Sequence, residues 1–446
     1  MSRKNCYTVL RIPDIYYKTM LSDLRASHPF ASERVGFLST NISSAGEHFK
    51  IITVTGYYPV DDSDYIDDPS VGAKINGAAI RRAMQRIIST GMGCLHVHLH
   101  DHIGRPGPSY TDLNSLPELS EGFYNANPRA VSGYAIFSRN SFFGMANISD
   151  DFDLIKIDQM TIVGYPMQFA FSTQTQNTIL KNIYARQSFL GDNAQELLAT
   201  ACIGIVGLGG GGSHIAQQFA HLGIVNYKIF DSDHIESTNH NRLIGSWFAD
   251  IARRLKKVAI ARRLIKKINP KAKVEVFDIR WQDRPDELKK CDIVVGCVDT
   301  YDERSQLEAA CRRFLIPSID IGMDVHKIEQ IGYSISGQII LSMPGAPCLR
   351  CMQFITEHKL SIEAKKYGDT GGMPQVVWSN GVLASAAVGI IVDLITGWSK
   401  LKDKQFYLSY DGEYGHLADH ARLDHCPKEC NHYKLENTGD PIFKRL

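Results

Sequence analysis

The order of hydrophobic and polar residues divides the chain into two parts. Up to residue 172, short apolar runs alternate with turn signals and include one amphipathic segment, AAIRRAMQRIIS. Its spacing predicts a helix with four apolar residues on one face: Ile80, Met84, Ile87 and Ile88. From residue 173 onward, ACIGIVGLGGGGSHIAQQFAHLGIVNYKIF has the order strand, glycine loop, helix, strand, which is typical of a parallel sheet. We therefore predict an α/β protein with two domains, residues 1–172 and 173–446.

Composition and charge narrow the class of protein. Hydrophobic residues make up 44% of the 446 and charged residues 22%, as in ordinary globular domains. A formal net charge of +1 gives no overall attraction to nucleic acid or acidic lipid, so we expect neither kind of partner. The most hydrophobic stretch, GVLASAAVGIIVDLITGW, contains an aspartate and predicts a buried helix. We see no signal peptide and too few cysteines for a disulfide framework, so we expect a cytoplasmic protein.

Histidines alternate along one predicted strand, CLHVHLH. Because alternate side chains share a face, His96, His98 and His100 point one way and the intervening apolar residues point to a core. A polar strand face open to water is the simpler interpretation. Three imidazoles in a row, followed by Asp112, favour a metal site instead. Two histidines and one aspartate around zinc leave a fourth position for water, which is the arrangement of catalytic zinc.

A carboxylate in the segment SERVGFLS completes a recognisable pattern. Glu-x-x-Gly-x-Leu at Glu33, then His-x-His, then Ser-x-x-Asp resembles the motif of the JAMM (JAB/MPN) metalloproteases, which cleave ubiquitin-like proteins from their conjugates. The resemblance implies that His98, His100 and Asp112 bind zinc. It also implies that Glu33 is the general base and that Ser109 donates a hydrogen bond to the oxyanion. A JAMM-like α/β metallopeptidase domain is therefore expected in the first part of the chain.

The register of the histidine pair is left open by two departures from this family. Asp101 stands where the family usually has proline, and Ser109 lies nine positions after His100 rather than eight. Pairing His100 with His102 gives seven positions and remains the alternative. His96 lies deeper on the strand, and we expect a structural role for it.

The glycine loop of the second part, GLGGGGS, fits either a nicotinamide enzyme or an ATP enzyme. Glycines allow close approach to phosphate, and the following helix offers free N–H groups. An acidic residue after the second strand, Asp231, is common to both classes. Arg242, Lys257 and Asp299 follow in that order, and an enzyme that adenylates a carboxylate needs such cations and a magnesium ligand. Taken singly, each of the three could be a surface or capping residue.

This set resembles the ThiF/MoeB family of enzymes that activate ubiquitin-like proteins. The resemblance implies a Rossmann-like domain with a mostly parallel sheet, which binds ATP and Mg²⁺. The nucleotide-binding set it implies is Gly207, Gly209, Gly210, Gly212, Asp231, Asp233, Asn239, Asn241, Arg242, Lys257 and Asp299. The segment YARQSFLG resembles the family's lead-in helix, whose arginine enters the neighbouring protomer's ATP site. Arg186 takes that role here, which implies a homodimer, whereas Leu243 stands where the family usually has glutamine.

Two cysteine pairs predict a structural zinc site. Cys348 and Cys351 form a CxxC, and Cys426 and Cys430 form a CxxxC. Four thiolates make a closed tetrahedral site. A redox CxxC or two unrelated turns are the alternatives, and His425 and His432 are weaker candidate ligands. The segment after the sheet in which activating enzymes keep a thioester cysteine contains none here.

Together these patterns predict a zinc peptidase fused to an adenylating enzyme. The expected partner is a ubiquitin-like protein with a C-terminal glycine, with a conjugating enzyme or a sulfur donor as the candidate for a further partner. The alternatives are a sulfur-carrier adenylyltransferase, an NAD-dependent oxidoreductase, and a binding scaffold with a degenerate peptidase.

Overall fold

Two β-sheets organise the computed structural model, which describes residues 6–27, 31–68, 70–172, 183–329, 332–365 and 374–441. The first sheet is built by residues 7–171 and the second by residues 202–419. The protein is therefore an α/β protein, as predicted.

The first sheet has nine strands in the order β7-β6-β5-β4-β2-β3-β1-β8-β9. The strands are β1 (Tyr7–Pro13), β2 (Val35–Ser44), β3 (Phe49–Pro59), β4 (Gly93–Leu99), β5 (Ser132–Phe137), β6 (Phe142–Asn147), β7 (Leu154–Lys156), β8 (Gln159–Val163) and β9 (Gln168–Phe171). The helices are α1 (Asp14–Leu24), α2 (Gly77–Thr90) and α3 (Tyr110–Ala126). Strand β1 is parallel to β3 and β8, and β4 is parallel to β5.

Helix α2 confirms the predicted amphipathic helix, but it buries a slightly different face. Ala79, Ala83 and Ile87 are buried, four residues apart, while Ile88 is 67% exposed. The small alanines allow the helix to approach the sheet closely, so the buried stripe lies one position away from the row of isoleucines. The predicted place of Ile88 on the buried face is therefore wrong.

The alternation of β4 separates its two faces as expected. Leu95, Val97 and Leu99 join an apolar core that is covered by α1. Their neighbours His96 and His98 face the other side, where α2 and α3 pack. Helices α2 and α3 therefore cover the face of β4 that carries the histidines.

The second sheet has eight strands in the order β12-β11-β10-β13-β14-β15-β16-β17. The strands are β10 (Cys202–Val206), β11 (Asn226–Phe230), β12 (Lys273–Phe277), β13 (Ile293–Gly296), β14 (Ser318–Ile328), β15 (Gly332–Ser342), β16 (Tyr407–Asp411) and β17 (His416–Asp419). The first five are parallel in the doubly wound order, and the last three are antiparallel. The helices are α4 (Ala194–Thr200), α5 (Gly210–Leu222), α6 (Phe248–Ala252), α7 (Lys257–Ile268), α8 (Pro285–Lys289), α9 (Tyr301–Arg313), α10 (Glu357–Lys365) and α11 (Val377–Thr396).

Helix α11 is long and apolar enough to cross a membrane by length and composition, and it alone meets that test among the described residues. Two-thirds of its apolar window is buried within the protein. Leu383, Ala387 and Ile391 belong to the main core beside α5. The helix is therefore the buried core helix that the sequence predicts.

The first sheet contacts the second at the amino-terminal ends of the parallel strands. The Arg11 guanidinium is 2% exposed and donates to the carbonyl oxygens of Phe314 (2.8 Å), Lys289 (3.0 Å) and Cys291 (2.8 Å). These residues lie just before β13 and β14. Gln159 donates to Asp292 at the same edge, over 3.2 Å. The carboxyl ends of the strands stay clear of this contact.

We predict that Arg11→Ala destabilises the whole chain. The substitution leaves three buried carbonyl oxygens without their donor and Asp292 without its neighbouring positive charge. We expect a loss of about 3–5 kcal/mol in the free energy of unfolding, measured by urea denaturation. Arg139→Ala removes an exposed ion pair with Asp101 and should leave the transition unchanged. A loss below about 1 kcal/mol in Arg11→Ala would contradict this role.

Candidate functional site

Two histidines meet at the end of β4. The Nε2 atoms of His98 and His100 are 3.2 Å apart, with His98 buried and His100 half-buried. The carboxylate Oδ2 of Asp112 lies 3.6 Å from Nε2 of His98 and 3.8 Å from Nε2 of His100. Ligands about 2.0–2.1 Å from a tetrahedral zinc would be about 3.3 Å apart. The three side chains therefore fit zinc in both donor chemistry and spacing.

Helix α3 places Asp112 through its own N-terminus. Ser109 is the N-cap, and its hydroxyl accepts a hydrogen bond from the Asp112 amide, while the Ser109 amide donates to Asp112 Oδ2 over 2.7 Å. Burial would raise the pKa of Asp112, but the hydrogen bond and charge of His98, with Ser109, hold it well below its usual range. Asp112 is thus held as a carboxylate. Ser109 serves here as a capping residue, in addition to any contact with a substrate oxyanion.

Glu33 reaches the same site from the segment before β2. Its Oε1 lies 3.9 Å from Nε2 of His100, and its amide donates to the Gly72 carbonyl over 2.9 Å. Gly72 is packed tightly against this carboxylate: a Cβ added at Gly72 would lie 2.7 Å from Oε2 of Glu33. A side chain at position 72 would therefore displace the Glu33 carboxylate.

The other two histidines lie outside this cluster. His102 is exposed, and its Nδ1 is 3.1 Å from the Ile103 carbonyl oxygen. His96 is buried against Phe37, and burial lowers its pKa to about 3, so its imidazole is neutral. The geometry thus brings together the pair His98 and His100 rather than His100 and His102.

The glycine loop of the second sheet connects β10 to α5. Gly207 has φ +86°, and a Cβ there would lie 2.5 Å from the Cys297 carbonyl oxygen. A Cβ on Gly212 would lie 1.9 Å from the Gly207 carbonyl oxygen, so both positions require glycine. Gly209, the N-cap of α5, has open space around it. The free N–H groups at the start of α5 are therefore accessible to an anion.

A glycine of this loop also contacts a residue that the sequence analysis missed. Asn380 of α11 packs against Gly210, where a Cβ would lie 2.5 Å from its Nδ2. Asn380 is 170 positions further along the chain, so no local pattern indicates the contact. The start of α11 therefore lies beside the start of α5.

Asp231 supports the loop from the end of β11. Its Oδ2 accepts from the Leu208 amide over 2.7 Å, and its Oδ1 accepts from the Asp233 amide over 2.8 Å. Burial raises the pKa of Asp231, and the charge of Lys257 opposes that rise. Lys257, the first residue of α7, forms an ion pair of 2.7 Å with Asp233. These residues gather at the carboxyl edge of the parallel strands, where ligands bind in doubly wound folds.

The polar loop after β11 makes contacts of its own. Asn239 accepts from the Glu236 amide, and Asn241 donates to the Gln375 carbonyl over 3.3 Å. Arg242 donates to the Thr238 carbonyl over 2.7 Å. Their polar groups are thus held by the protein rather than directed at the glycine loop. Leu243 is buried in a small core, which accounts for an apolar residue at a position where the family usually has glutamine.

Asp299 and Arg186 are both exposed. Asp299 follows β13 and precedes α9, at the same edge of the sheet as Asp231. Arg186 lies in a short 3₁₀ helix, Ala185–Leu190. No hydrogen bond or ion pair of the described residues joins Arg186 to the glycine loop of its own chain.

Three cysteines and one histidine form a second metal-binding group: Cys348, Cys351, Cys430 and His432. The sulfur of Cys348 is 3.6 Å from that of Cys351, which is 3.9 Å from that of Cys430. His432 Nδ1 lies 3.4 Å from the sulfurs of both Cys348 and Cys351. Sulfurs bound to a tetrahedral zinc would be about 3.8 Å apart. The group therefore fits a closed zinc site.

Cys426, expected as the fourth ligand, lies outside this group, and His432 takes its place. Cys426 ends a 3₁₀ turn, Ala421–His425, and its thiol donates to the Arg422 carbonyl of that turn over 3.2 Å. The longer CxxxC spacing keeps Cys426 in the turn and lets the chain bring His432 back instead. The geometry thus groups His432, rather than the expected Cys426, with the other three side chains, while the Cys426 thiol lies 3.8 Å from the Cys351 carbonyl oxygen.

A buried network holds the CxxC loop in place. Glu308 of α9 accepts from the Leu349 amide over 2.8 Å. Arg312, one turn further, donates to the carbonyls of Ala346 and Pro347, each over 2.8 Å. The cysteine loop is thereby fixed to the helix that follows Asp299.

Comparison with known proteins gives matches in the second part of the chain. The ThiF family matches residues 182–432. Ubiquitin-like modifier-activating enzyme 5 of Gallus gallus is 25% identical over 272 residues, which cover 55% of this chain and 64% of that protein. Protein HesA, vegetative, of Trichormus variabilis is 27% identical over 226 residues, covering 49% and 77%. The crystal structure of E. coli MccB with succinimide has a TM-score of 0.45 and 21% identity, covering 54% and 71%.

The chain thus spans a little under two-thirds of the length of the first of these relatives. The family match covers more than half of this chain, and it contains both the glycine loop and the cysteine–histidine group. On this evidence, the chain belongs to the ThiF family.

Proposed function

We propose that the second sheet carries an ATP-dependent adenylating site for the C-terminal carboxylate of a ubiquitin-like protein. The observation that carries the proposal is the glycine loop with Asp231, Lys257 and Asp299 at one edge of a parallel sheet. Membership of the ThiF family favours ATP over a nicotinamide at this loop. The similarity to ubiquitin-like modifier-activating enzyme 5 supports the choice of substrate. A cytoplasmic location remains part of the proposal.

The reaction needs positive charge where the triphosphate lies. A carboxylate oxygen of the substrate forms a bond to the α-phosphorus of ATP, and the bond to the bridging oxygen breaks to release pyrophosphate. The N–H groups of α5 bind phosphate oxygens, and Lys257 and Arg242 neutralise the charge that develops. For Arg242 this requires release from the Thr238 carbonyl. Asp299 would hold Mg²⁺, which neutralises the leaving pyrophosphate.

We propose that the site is completed by a second copy of the chain. Arg186 is exposed, and in the described residues no hydrogen bond or ion pair joins it to the glycine loop of its own chain, which leaves it available to a neighbouring protomer. The resulting homodimer would contain two composite sites.

We further propose that the first sheet carries a zinc peptidase for the same tail. His98, His100 and Asp112 would hold the zinc, which activates a water molecule when bound. Glu33 would act as the general base that accepts a proton from the attacking water and returns it to the leaving amine. Such a site would trim a precursor or cut a conjugate, exposing the terminal carboxylate that the second site consumes.

A sulfur-carrier activator is the second candidate function. The thiols outside the zinc group are poorly suited to accept the tail as a thioester. Cys94, Cys291 and Cys311 are buried, and burial raises the pKa of Cys94 to about 12 and raises that of Cys297. If a separate sulfur donor attacks the acyl-adenylate, the chain needs no reactive thiol of its own, which agrees with the burial of these cysteines.

We predict that Asp299→Asn abolishes adenylation while peptidase activity persists. The substitution keeps the shape of the side chain but removes the negative charge for Mg²⁺. We expect ATP–pyrophosphate exchange with a glycine-ending ubiquitin-like protein to fall by about 10²–10³. Asp302→Asn, on the same exposed end of α9, is the matched control. Undiminished exchange in a folded Asp299→Asn protein would rule out this role.

We predict that Glu33→Gln and Gly72→Ala both lose cleavage but retain zinc. Gln cannot accept the proton, and a methyl group at position 72 would push the Glu33 carboxylate aside. Cleavage of a ubiquitin-like fusion should fall by about two to four powers of ten in Glu33→Gln and by less in Gly72→Ala. Gly107→Ala, where a Cβ meets no atom within 4 Å, is the control glycine.

A double variant tests whether Gly72 acts through Glu33. Adding Gly72→Ala to Glu33→Gln should cause little further loss, because the displaced group has already lost its function. A full additional loss would show that Gly72 acts elsewhere. Normal cleavage by Glu33→Gln would refute the peptidase proposal.

We predict that His432, and not Cys426, holds the structural zinc. The wild-type chain should contain two zinc ions by atomic absorption, one at each site. His432→Ala should retain one and unfold at a lower temperature, because three ligands leave the site open. Cys426→Ser should retain both. The opposite pattern would restore the four-cysteine set.

A further inference from the structure

One segment of the chain is strongly basic although the whole chain is nearly neutral. Residues 252–274 contain ten lysines and arginines and no acidic residue, whereas the formal net charge of the chain is +1. The segment forms α7 and the start of β12. Exposed helices usually carry both positive and negative side chains. A run of lysines and arginines without acidic residues therefore indicates a surface that binds a negatively charged partner.

Only part of this charge is neutralised within the protein. Lys256, Lys257 and Arg263 pair with Asp278, Asp233 and Asp250 at 2.9, 2.7 and 2.6 Å. Six further cations are exposed and have no ion-pair partner among the described residues: Arg253, Arg254, Arg262, Lys266, Lys267 and Lys273. The surface therefore keeps a concentrated positive charge.

A groove runs between α7 and β12 beneath these cations. It is a shallow, open depression on the surface, lined by Ala259, Arg262, Arg263, Lys266 and Val276. Ala259 and Val276 form an apolar floor, and the long basic side chains form the wall on the helix. The groove therefore combines a narrow apolar strip with cations along one side.

The other side of the groove is the free edge of the sheet. Strand β12 pairs in parallel with β11 over Lys273–Phe277 and is the last strand in the sheet order. In the described part of the chain, nothing pairs with its outer edge. An edge strand offers alternating N–H and C=O groups to any extended segment that lies along it.

These features favour a polypeptide over a nucleic acid. Single-stranded nucleic acid needs aromatic rings on which bases stack. The exposed ring of Trp247 is already covered by Arg263 at 4.2 Å and Lys267 at 4.4 Å from its centroid, and the Phe277 ring of β12 is stacked on Phe230. An extended peptide could instead hydrogen-bond to β12 and direct every second side chain toward the cations of α7.

We propose that the α7–β12 groove binds an extended acidic segment of a partner protein, which adds to the sheet as a strand beside β12. Alternate side chains of that segment would lie on the α7 side and be acidic, toward Arg262 and Lys266, and the intervening side chains would point away from α7. The α7 residues that line the groove lie two to nine positions after Lys257, so the partner docks beside the nucleotide site. The inference does not depend on the chemistry proposed for that site.

The test uses the full chain and a fluorescein-labelled ten-residue peptide of alternating Val and Glu, followed by fluorescence anisotropy. We expect saturable binding that weakens with salt, and none to the corresponding Val–Lys peptide. Arg262→Glu with Lys266→Glu should weaken binding of the acidic peptide at least tenfold and gain binding of the Val–Lys peptide. Lys400→Glu with Lys402→Glu, an exposed pair elsewhere, is the matched control and should bind as wild type.

A second peptide separates strand addition from attraction between charges. Methylating alternate backbone nitrogens of the Val–Glu peptide removes donors without changing its charge. One of the two methylated registers should lose binding, because its methyl groups would face β12. Equal binding of both registers, or tighter binding of a single-stranded oligonucleotide of the same charge, would overturn the proposal. An unchanged thermal midpoint in the double variant shows that any lost binding is not due to unfolding.

Discussion

The buried guanidinium of Arg11 sets the arrangement of the two sheets. Burying a charge costs free energy of folding unless its hydrogen-bond donors are satisfied. Here the backbone carbonyl oxygens of Lys289, Cys291 and Phe314 accept hydrogen bonds from the guanidinium. Those carbonyls belong to the turns that lead into the parallel strands. The first sheet is therefore fixed to the amino-terminal edge of the second. Had the contact formed at the opposite edge, it would have covered the glycine loop.

Local periodicity predicted the parts of each site that one element carries. Alternation on β4 placed His98 and His100 on one face, and the strand–loop–helix order placed Gly207 and Gly212 where only glycine fits. Both follow from geometry within a few residues. The approach of Glu33 to His100 was expected from a family resemblance alone, since 67 positions of chain separate the two and no spacing fixes that distance.

Two of the contacts that the sequence did not indicate involve long-range packing. Asn380 contacts Gly210 across 170 positions, and Gly72 shapes the place of Glu33 across 39. The exchange of Cys426 for His432 depends on whether a 3₁₀ turn retains a thiol, which neither residue type nor spacing decides. Arg11 is a charged residue in the otherwise largely apolar strand β1, and local periodicity gives no reason for it. Only the meeting of two sheets shows why an arginine stands there.

The same contact bears on how the two proposed sites could work together. His98 pairs with Val35 of β2, and Arg11 is level with Asn41 of the same strand, through Thr53 of β3. Six residues of β2 separate Val35 from Asn41, so His98 and Arg11 lie about 20 Å apart along the strand direction. Three strand spacings of about 4.8 Å, from β4 to β1, add a lateral offset of about 14 Å. On the other side of the contact, the five residues of β10 carry the glycine loop about 15 Å beyond the docked edge.

An extended polypeptide tail spans at most about 3.6 Å per residue. After cleavage, the new terminal carboxylate lies at the peptidase site, and no further residues extend from it toward the glycine loop. A tail held at His98 therefore cannot present its new carboxylate to the glycine loop of the same chain while it stays bound. On the proposed function, hydrolysis and adenylation are then separate binding events, with release of the ubiquitin-like protein between them. The two reactions are linked by the identity of the tail and by the rigid contact around Arg11, rather than by a shared cavity.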